Sequence, residues 1–378
     1  MKLLIGGDYL PDNNIFTDPE FPTKYFGEVI PLIEESDLAI FNLETVIEAK
    51  GDKIVKTGVS FNSTSASLKL FERPPVLLAL ANNHILDYGY DGLSSTIQNL
   101  DSRGIKHIGA ALNEGDATQP YIYEKSGIRL GVLNYCEHEF STCDQFDGFG
   151  ANGYSDQKAF YHISELKEKC NKIIVIYHGN LEYTTYPSPE MKKRMRYLAD
   201  LGANAIICHH SHYYSGYEVY AETPIFYGLG NFYAESKAVR EIEYHTGLLV
   251  ELDVKEKVTF KLIPYRQNYG APGVKMLGPA DSEELLNKIN IINETIVDEE
   301  KLKNEWMKFI INKKSKYYYI LKQQNKLVYQ LVKRGVLKQS EISNDILPFL
   351  LNIIRNESHR EAVISLLEYE LNRDKNKR

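Results

Sequence analysis

The chain has 378 residues, 43% of them hydrophobic, which is room for a sizeable buried core and for one large domain with an appendage or for two domains. Its formal net charge of −7 excludes bulk nucleic-acid binding by the whole molecule, and no nucleic-acid partner is expected. Four cysteines without C-x-x-C spacing exclude a disulfide scaffold and are read as reduced thiols, and no run approaches the roughly 20 apolar residues needed to cross a bilayer, so a cytoplasmic location is expected.

Residues 2–5 read as a short buried strand ending at Gly6-Gly7-Asp8, where glycines allow a tight turn and leave a carboxylate at the strand's carboxyl end. The sequence predicts a helix over 25–35 and a second apolar strand over 38–41, followed by Asn42-Leu43-Glu44. After a polar loop over 50–64 and a helical stretch over 66–72 comes the apolar run 76–81, a buried strand that ends in Asn82-Asn83-His84, with Asp87 and Gly89 beyond it. Leu93, Ile97 and Leu100 give helical spacing to 91–103. Strands are expected over 105–108, 121–123 and 130–134, and the Gly-, Asp- and Phe-rich segment 136–154 reads as a long loop of the kind that covers active sites.

A helix over 159–170 leads to the strand 173–177, which ends in His178-Gly179-Asn180-Leu181-Glu182. A helix over 188–201, with Pro189 in its first turn and Gly202 at its end, leads to the strand 205–208, which ends in His209-His210-Ser211-His212. The run 224–227 opens into Gly228-Leu229-Gly230-Asn231-Phe232, and antiparallel strands are expected over 246–254 and 257–264. From about residue 281 only helical periodicity remains, with helices expected over 282–297, 299–334, 340–354 and 358–372. The boundary near Gly278-Pro279 divides an α/β domain, 1–278, from a helical C-terminal domain, 279–378.

Five strand ends therefore present Asp8, Glu44, Asn83 with His84, His178, and His210 with His212. Each residue alone has a plain structural use, as a helix cap or a hydrogen-bonded core group. Five at the end of a sheet where α/β folds place their ligands point to a site. Residues i and i+2 on an extended segment face the same side, so His210 and His212 can share it. Two carboxylates, one amide and three imidazoles suit Mn, Fe or Zn rather than Ca or thiolate-selective metals. Two divalent ions about 4 Å apart need a bridging carboxylate with separate flanking ligands. Glu44 is assigned the bridge, Asp8 and His212 one ion, and Asn83, His178 and His210 the other.

The ordered set Gly7-Asp8, Asn42-Leu43-Glu44, Ala81-Asn82-Asn83-His84 with Asp87 and Gly89, His178 with Glu182, His209-His210-x-His212 and Leu229-Gly230-Asn231-Phe232 resembles the CapA family. That family is associated with poly-γ-glutamate and capsule biosynthesis and is a branch of the calcineurin-like metallophosphoesterase fold. The resemblance covers roughly residues 1–265. It implies a four-layer α/β/β/α sandwich with a two-metal centre at the strand ends, here followed by an all-helical C-terminal domain. It makes His84 the candidate acid that protonates the leaving oxygen, with Asp87 orienting that imidazole through a hydrogen bond and raising its pKa. Glu182 and Tyr183 occupy the family's Glu-aromatic position and are expected to contact substrate, and His209 and Asn231 are grouped with them. Where metallophosphoesterases carry a His two residues after the first Asp, this chain has Leu10, which leaves the first metal site a ligand short and weak or empty. The family's usual glycine before the histidine pair is His209.

Residues 301–334 hold ten Lys or Arg and one acidic residue, Glu305, a local net of +9, with apolar positions mostly on one face. Such a helix can lie peripherally on the inner face of an anionic membrane or dock an anionic polymer. The preferred reading packs its apolar face on the other tail helices and leaves the lysines solvated. The expected activity is metal-dependent phosphoester hydrolysis in the assembly of a capsule, poly-γ-glutamate or other surface polymer, acting on an anionic polymer or a phosphorylated substrate. Amide hydrolysis is the lesser alternative reaction, and a non-catalytic polymer-binding or assembly protein that keeps the fold is the rival class.

Overall fold

A computed structural model describes residues 1–11, 15–73, 75–234, 241–321 and 346–375. The first sheet is founded on four parallel neighbours, β1 (Lys2–Leu10), β2 (Leu38–Leu43), β3 (Val76–Ala79) and β4 (Lys106–Ile108). The chain then builds a second sheet from β5 (Tyr121–Lys125), β6 (Ile128–Cys136), β7 (Lys172–His178), β8 (Ala205–His209), β9 (Tyr217–Tyr220) and β10 (Thr223–Phe226), in the spatial order β9-β10-β8-β7-β6-β5. It returns to the first sheet with β11 (Asn231–Ala234), parallel to the end of β1, and with β12 (Thr246–Val254), β13 (Val258–Gln267) and β14 (Val274–Met276), which extend the other side of β1 antiparallel.

Strand alternation fixes the layers. Leu3, Ile5, Leu38, Ile40, Leu77 and Ala79 join a core shared with Val132, Ile174 and Ile206 of the second sheet. Their neighbours Leu4, Ala39, Phe41 and Leu78 point the other way, into a core with Ile30, Ile33 and with Leu93 and Leu100 of α1 (Gly89–Ser102). The second sheet is covered by α2 (Asp156–Lys169) and α3 (Pro189–Leu201), which pack on β7 and β8. Helix, sheet, sheet, helix is the expected four-layer sandwich.

β1 runs through its glycines instead of turning at them. A Cβ on Gly7 would lie 1.9 Å from the Gly230 carbonyl oxygen, so only glycine lets β1 meet the loop before β11. The β1–β2 register shifts between Ile5 and Asp8, a bulge that carries the strand on to Leu10. The helix expected over 25–35 is two short ones, Thr23–Phe26 and Ile30–Glu35. Pro31 opens the second and cannot sit inside a continuous helix. The stretch 66–72 is a 3₁₀ helix, Ser65–Phe71, and the short strands β9 and β14 were not anticipated. The 136–154 loop begins within β6 and contains a 3₁₀ turn, Cys143–Gln145, and a strand, Gly150–Ala151, that pairs with Ala110–Ala111. All four cysteines are buried and free.

After Gly278 come α4 (Pro279–Val297), α5 (Glu299–Leu321), α6 (Leu347–Arg355) and α7 (Glu357–Lys375). α4 packs on β9 and β13, while α5 and α7 pack on α3. Residues 322–345, with the expected end of one helix at 334 and the start of the next at 340, lie outside the described residues. No helix among the described residues is long and apolar enough to cross a membrane.

Candidate metal centre

The carboxyl ends of β1, β2, β7 and β8, with the turn after β3, converge on one buried cluster. Asp8, Glu44, His178, His209, His210 and His212 are each at most 6% exposed. His210 (φ 92°) and His212 (φ 57°) hold left-handed backbone conformations that a non-glycine residue adopts only under local constraint, a feature that gathers at functional sites. The expected ligands meet in two groups, Asp8 with Glu44 and His212, and Glu44 with His178 and His210, and within each group the candidate ligand atoms all lie within 4.8 Å of one another.

Glu44 belongs to both groups. Its Oε1 is 3.4 Å from His178 Nε2 and 4.0 Å from His210 Nδ1, and its Oε2 is 3.9 Å from His212 Nδ1. Neither oxygen has a hydrogen-bond partner among the described residues. Burial first, then the Asp8, Glu182 and Glu139 carboxylates, pushes its carboxyl well above the usual range. For Asp8 burial raises the pKa, but His209 and the other imidazoles outweigh it and hold the group below the ordinary value. Asp8 also accepts from Asn42 Nδ2 at 2.8 Å and from the His210 backbone N–H at 3.1 Å. Asn83 Oδ1 lies 3.0 Å from His178 Nε2, so the amide assigned to the second group is in place.

His84 Nδ1 is 2.7 Å from Asp87 Oδ2, the hydrogen bond expected from sequence. The direction of its pKa is the reverse of that expectation. Burial first, and the neighbouring Lys56 ammonium second, lower it to about 4, and Asp87 recovers only part of the difference. Lys56 Nζ is 3.0 Å from the same ring nitrogen and is paired with Asp87 Oδ1. At neutral pH the imidazole is therefore neutral. Replacing Lys56 by Met removes the second-largest lowering influence, so the His84 midpoint is expected to rise toward 6.5, read from its ring-proton NMR titration. An unmoved midpoint would remove Lys56 from the account.

A cavity of about 880 Å³ opens above the cluster. Asn83, His84, His210 and His212 face it, as do Glu182 and Tyr183, with the Tyr183 ring 5.8 Å from that of His212. Leu10, in the position of the expected extra ligand, is an apolar part of the same wall. His209 and Asn231 do not reach the cavity. His209 lies behind Asp8, with Nδ1 3.3 Å from Oδ1, and Asn231 Oδ1 holds His212 Nδ1 at 2.9 Å. The expectation that these two touch substrate is corrected: neither lines the cavity, and each is turned to a member of the cluster instead.

A family model described as bacterial capsule synthesis protein PGA_cap matches residues 2–236. The chain belongs to that family. Two relatives are the PGA biosynthesis protein CapA of Bacillus subtilis, 28% identical over 61% of this chain and 63% of that one, and the capsule biosynthesis protein CapA of Bacillus anthracis, 25% identical over 60% and 58%. The chain spans about three fifths of the length of these curated relatives. Among solved structures, a putative 5'-nucleotidase from Staphylococcus aureus is 14% identical, with a TM-score of 0.44 over 77% of this chain and 58% of that one.

The PGA_cap match contains every residue of the cluster, but not all of the cavity. Phe309, Lys313, Lys316, Tyr317, Phe349 and His359 of the helical tail form the facing wall. Lys56 and Glu139, which sequence reading did not single out, also face the cavity, and Glu139 Oε1 is 3.4 Å from His210 Nε2. Lys56 has no signal that separates it from Lys50 and Lys53 in the same polar loop. Glu139 lies in the loop read as a cover, and the loop's position was the one available clue.

Proposed function

We propose that this chain is a metal-dependent phosphoesterase acting in the making of a capsule, poly-γ-glutamate or related surface polymer, on an anionic polymer or a phosphorylated intermediate. Glu44 carries the reading. A fully buried carboxylate whose two oxygens lack donors is costly, and each oxygen is turned toward a different set of ligating side chains. The set fits divalent cations: Asp8, Glu44 and His212 would hold one, and Glu44, His178 and His210, beside Asn83, would hold another. Mixed oxygen and imidazole donors favour Mn, Fe or Zn. When bound, such ions supply Lewis acidity to phosphoryl oxygens and acidify a water. The chain's own part is to orient and to move a proton. His84, neutral at rest with Nδ1 held by Asp87, gains basicity when an anionic ester settles beside it, takes up a proton from solvent at Nε2, passes that proton to the leaving oxygen and returns to the neutral form. Glu182 and Tyr183 position the ester from the wall. The names of the relatives supply the polymer.

Leu10 favours the rival, a polymer-binding protein that keeps the fold, because an apolar side chain stands where another ligand would complete the Asp8 side. Metal content per chain, measured on the parent and on Asp8→Ala and His210→Ala, separates the two. Two ions in the parent, one lost in each variant, and turnover of bis(p-nitrophenyl) phosphate that falls about a hundredfold in His84→Ala are the expected results. A folded parent that takes up no Mn, Fe or Zn would hand the site to the rival.

A further inference from the structure

The cavity wall facing the ligand cluster lies on tail helices outside the family match. On α5, Trp306, Ile310 and Tyr317 are buried together with Leu181, Ile353, Ala362 and Leu366. At about 100° per residue, Lys313 projects within roughly 60° of all three, on the face that amphipathic patterning reserves for apolar side chains. It is nevertheless exposed, because it opens into the cavity and not into the core. Lys316 follows one turn later on the same wall.

Of the other lysines on this helix, Lys301 pairs with Asp298 and Lys308 with Glu305. Neither Lys313 nor Lys316 has a carboxylate partner among the described residues. Lys56, the remaining cavity lysine, is engaged with Asp87. Of the two carboxylates that line the cavity, Glu139 faces His210, and Glu182 feels, after burial, His212, His210 and His84 first and Lys316 after them, without an ion pair to either lysine. His359, its Nδ1 3.0 Å from the Tyr317 hydroxyl, stands beside the lysines on the tail wall.

We infer that Lys313 and Lys316, flanked by His359, form an anion subsite that holds a second phosphate or carboxylate of a substrate whose first anionic group meets the Glu44 cluster. The two-group substrate rests on the hydrolase reading of that cluster; the subsite itself rests on two exposed ammonium groups in one cavity wall, without a carboxylate ion pair, Lys313 Nζ standing 5.4 Å from the Phe309 ring centroid. A ligand with two separated anionic groups then spans the cavity from floor to tail, which selects against small monoanions and gives the tail a part in choosing substrate.

The test is calorimetric titration of the full, metal-loaded chain with inorganic tripolyphosphate and with tri-γ-glutamate. Lys313→Gln/Lys316→Gln is expected to weaken at least one of them about tenfold or more and to flatten its salt dependence. Lys314→Gln, one residue along and not on the wall, is expected to bind as the parent does. Thermal midpoints and metal content confirm that the variants are folded. Loss of tripolyphosphate alone assigns the subsite to phosphate, and loss of tri-γ-glutamate alone assigns it to carboxylate. Unchanged binding of both in the double variant, or no binding of either by the parent, overturns the subsite. Lysine-dependent binding in a parent that turns over no phosphoester would retain the subsite and remove the hydrolase reading instead.

Discussion

Glu44→Gln is expected to lower metal content by at least half and phosphodiester turnover by about a thousandfold, the equivalent of several kcal/mol of lost Lewis-acid stabilisation. The same substitution is expected to stabilise the metal-free protein. In the parent both carboxylate oxygens are buried without donors, and the desolvation cost of such a group is about 1–3 kcal/mol or more. The pH dependence follows from the direction of the shift. The folded carboxyl titrates well above its ordinary 4.5, so below that value it is protonated in both states and carries no penalty, and as pH rises toward the folded midpoint the unfolded chain ionises first and stability falls. The stability advantage of Glu44→Gln over the chelated parent should therefore be small at pH 4 and widen toward pH 7, and reverse when metal is restored. Thermal midpoints of both proteins across that range, with and without chelator, make the test. Parallel curves, insensitive to pH and metal, would mean that Glu44 is not the residue around which the centre is built.

The ligand cluster was legible because its signal is local. Each member follows an apolar run of three to five residues, and parallel pairing puts such runs in register at one end, so Asp8 with Glu44 on the first sheet and His178 with His210 on the second could be gathered without knowing any pairwise distance; that the cluster is shared between two sheets and not carried by one is the structure's addition. Contacts that depend on which elements face each other were not legible. The sign of the His84 shift is not legible in sequence, because burial, with Lys56 from a featureless loop 28 residues away adding to it, outweighs Asp87, three residues away in a recognisable turn. His209 and Asn231 were placed on the substrate side because sequence gives a residue's neighbourhood along the chain and not the depth of its side chain. The tail illustrates the same limit on a larger scale. Periodicity established that α5 has an apolar face to bury, but not that α3 and Leu181 cover it or that Lys313 opens into the cavity. The preferred reading, an apolar face packed on the other tail helices with the lysines exposed, agrees with the burial of Trp306, Ile310 and Tyr317 and the exposure of Lys308, Lys313 and Lys316; what periodicity does not show is that the last two line the cavity.

Glu137 binds that tail to the sandwich, and Glu137→Leu is expected to cost about 3–5 kcal/mol, the range for removing one partner of a buried ion pair. The carboxylate is 2% exposed and accepts four hydrogen bonds, from Arg194 Nη1 at 3.1 Å, Ser358 Oγ at 2.8 Å, Tyr177 OH at 3.3 Å and Asn356 Nδ2 at 3.1 Å. Two of those donors stand at the start of α7, where Asn356 also caps the helix by accepting from the His359 N–H at 2.7 Å. Next to it, Glu357 takes both the backbone N–H and the Nδ1 of His138. Leucine fills similar volume but strands the Arg194 charge and three neutral donors, so both the fold and the attachment of α7 should suffer. Denaturant unfolding gives the first effect, and faster amide exchange along 357–375 in native buffer gives the second. The double variant Arg194→Met/Glu137→Leu is expected to recover a good part of the loss, because replacing both charges by apolar groups is often close to neutral whereas removing one is not. Recovery in stability with α7 still exchanging fast would show that Ser358 and Asn356, and not the ion pair, hold the tail over the cavity. No loss in Glu137→Leu at all would mean that the tail is anchored by its other contacts, the Glu357–His138 pair and the packing of α5 and α7 on α3.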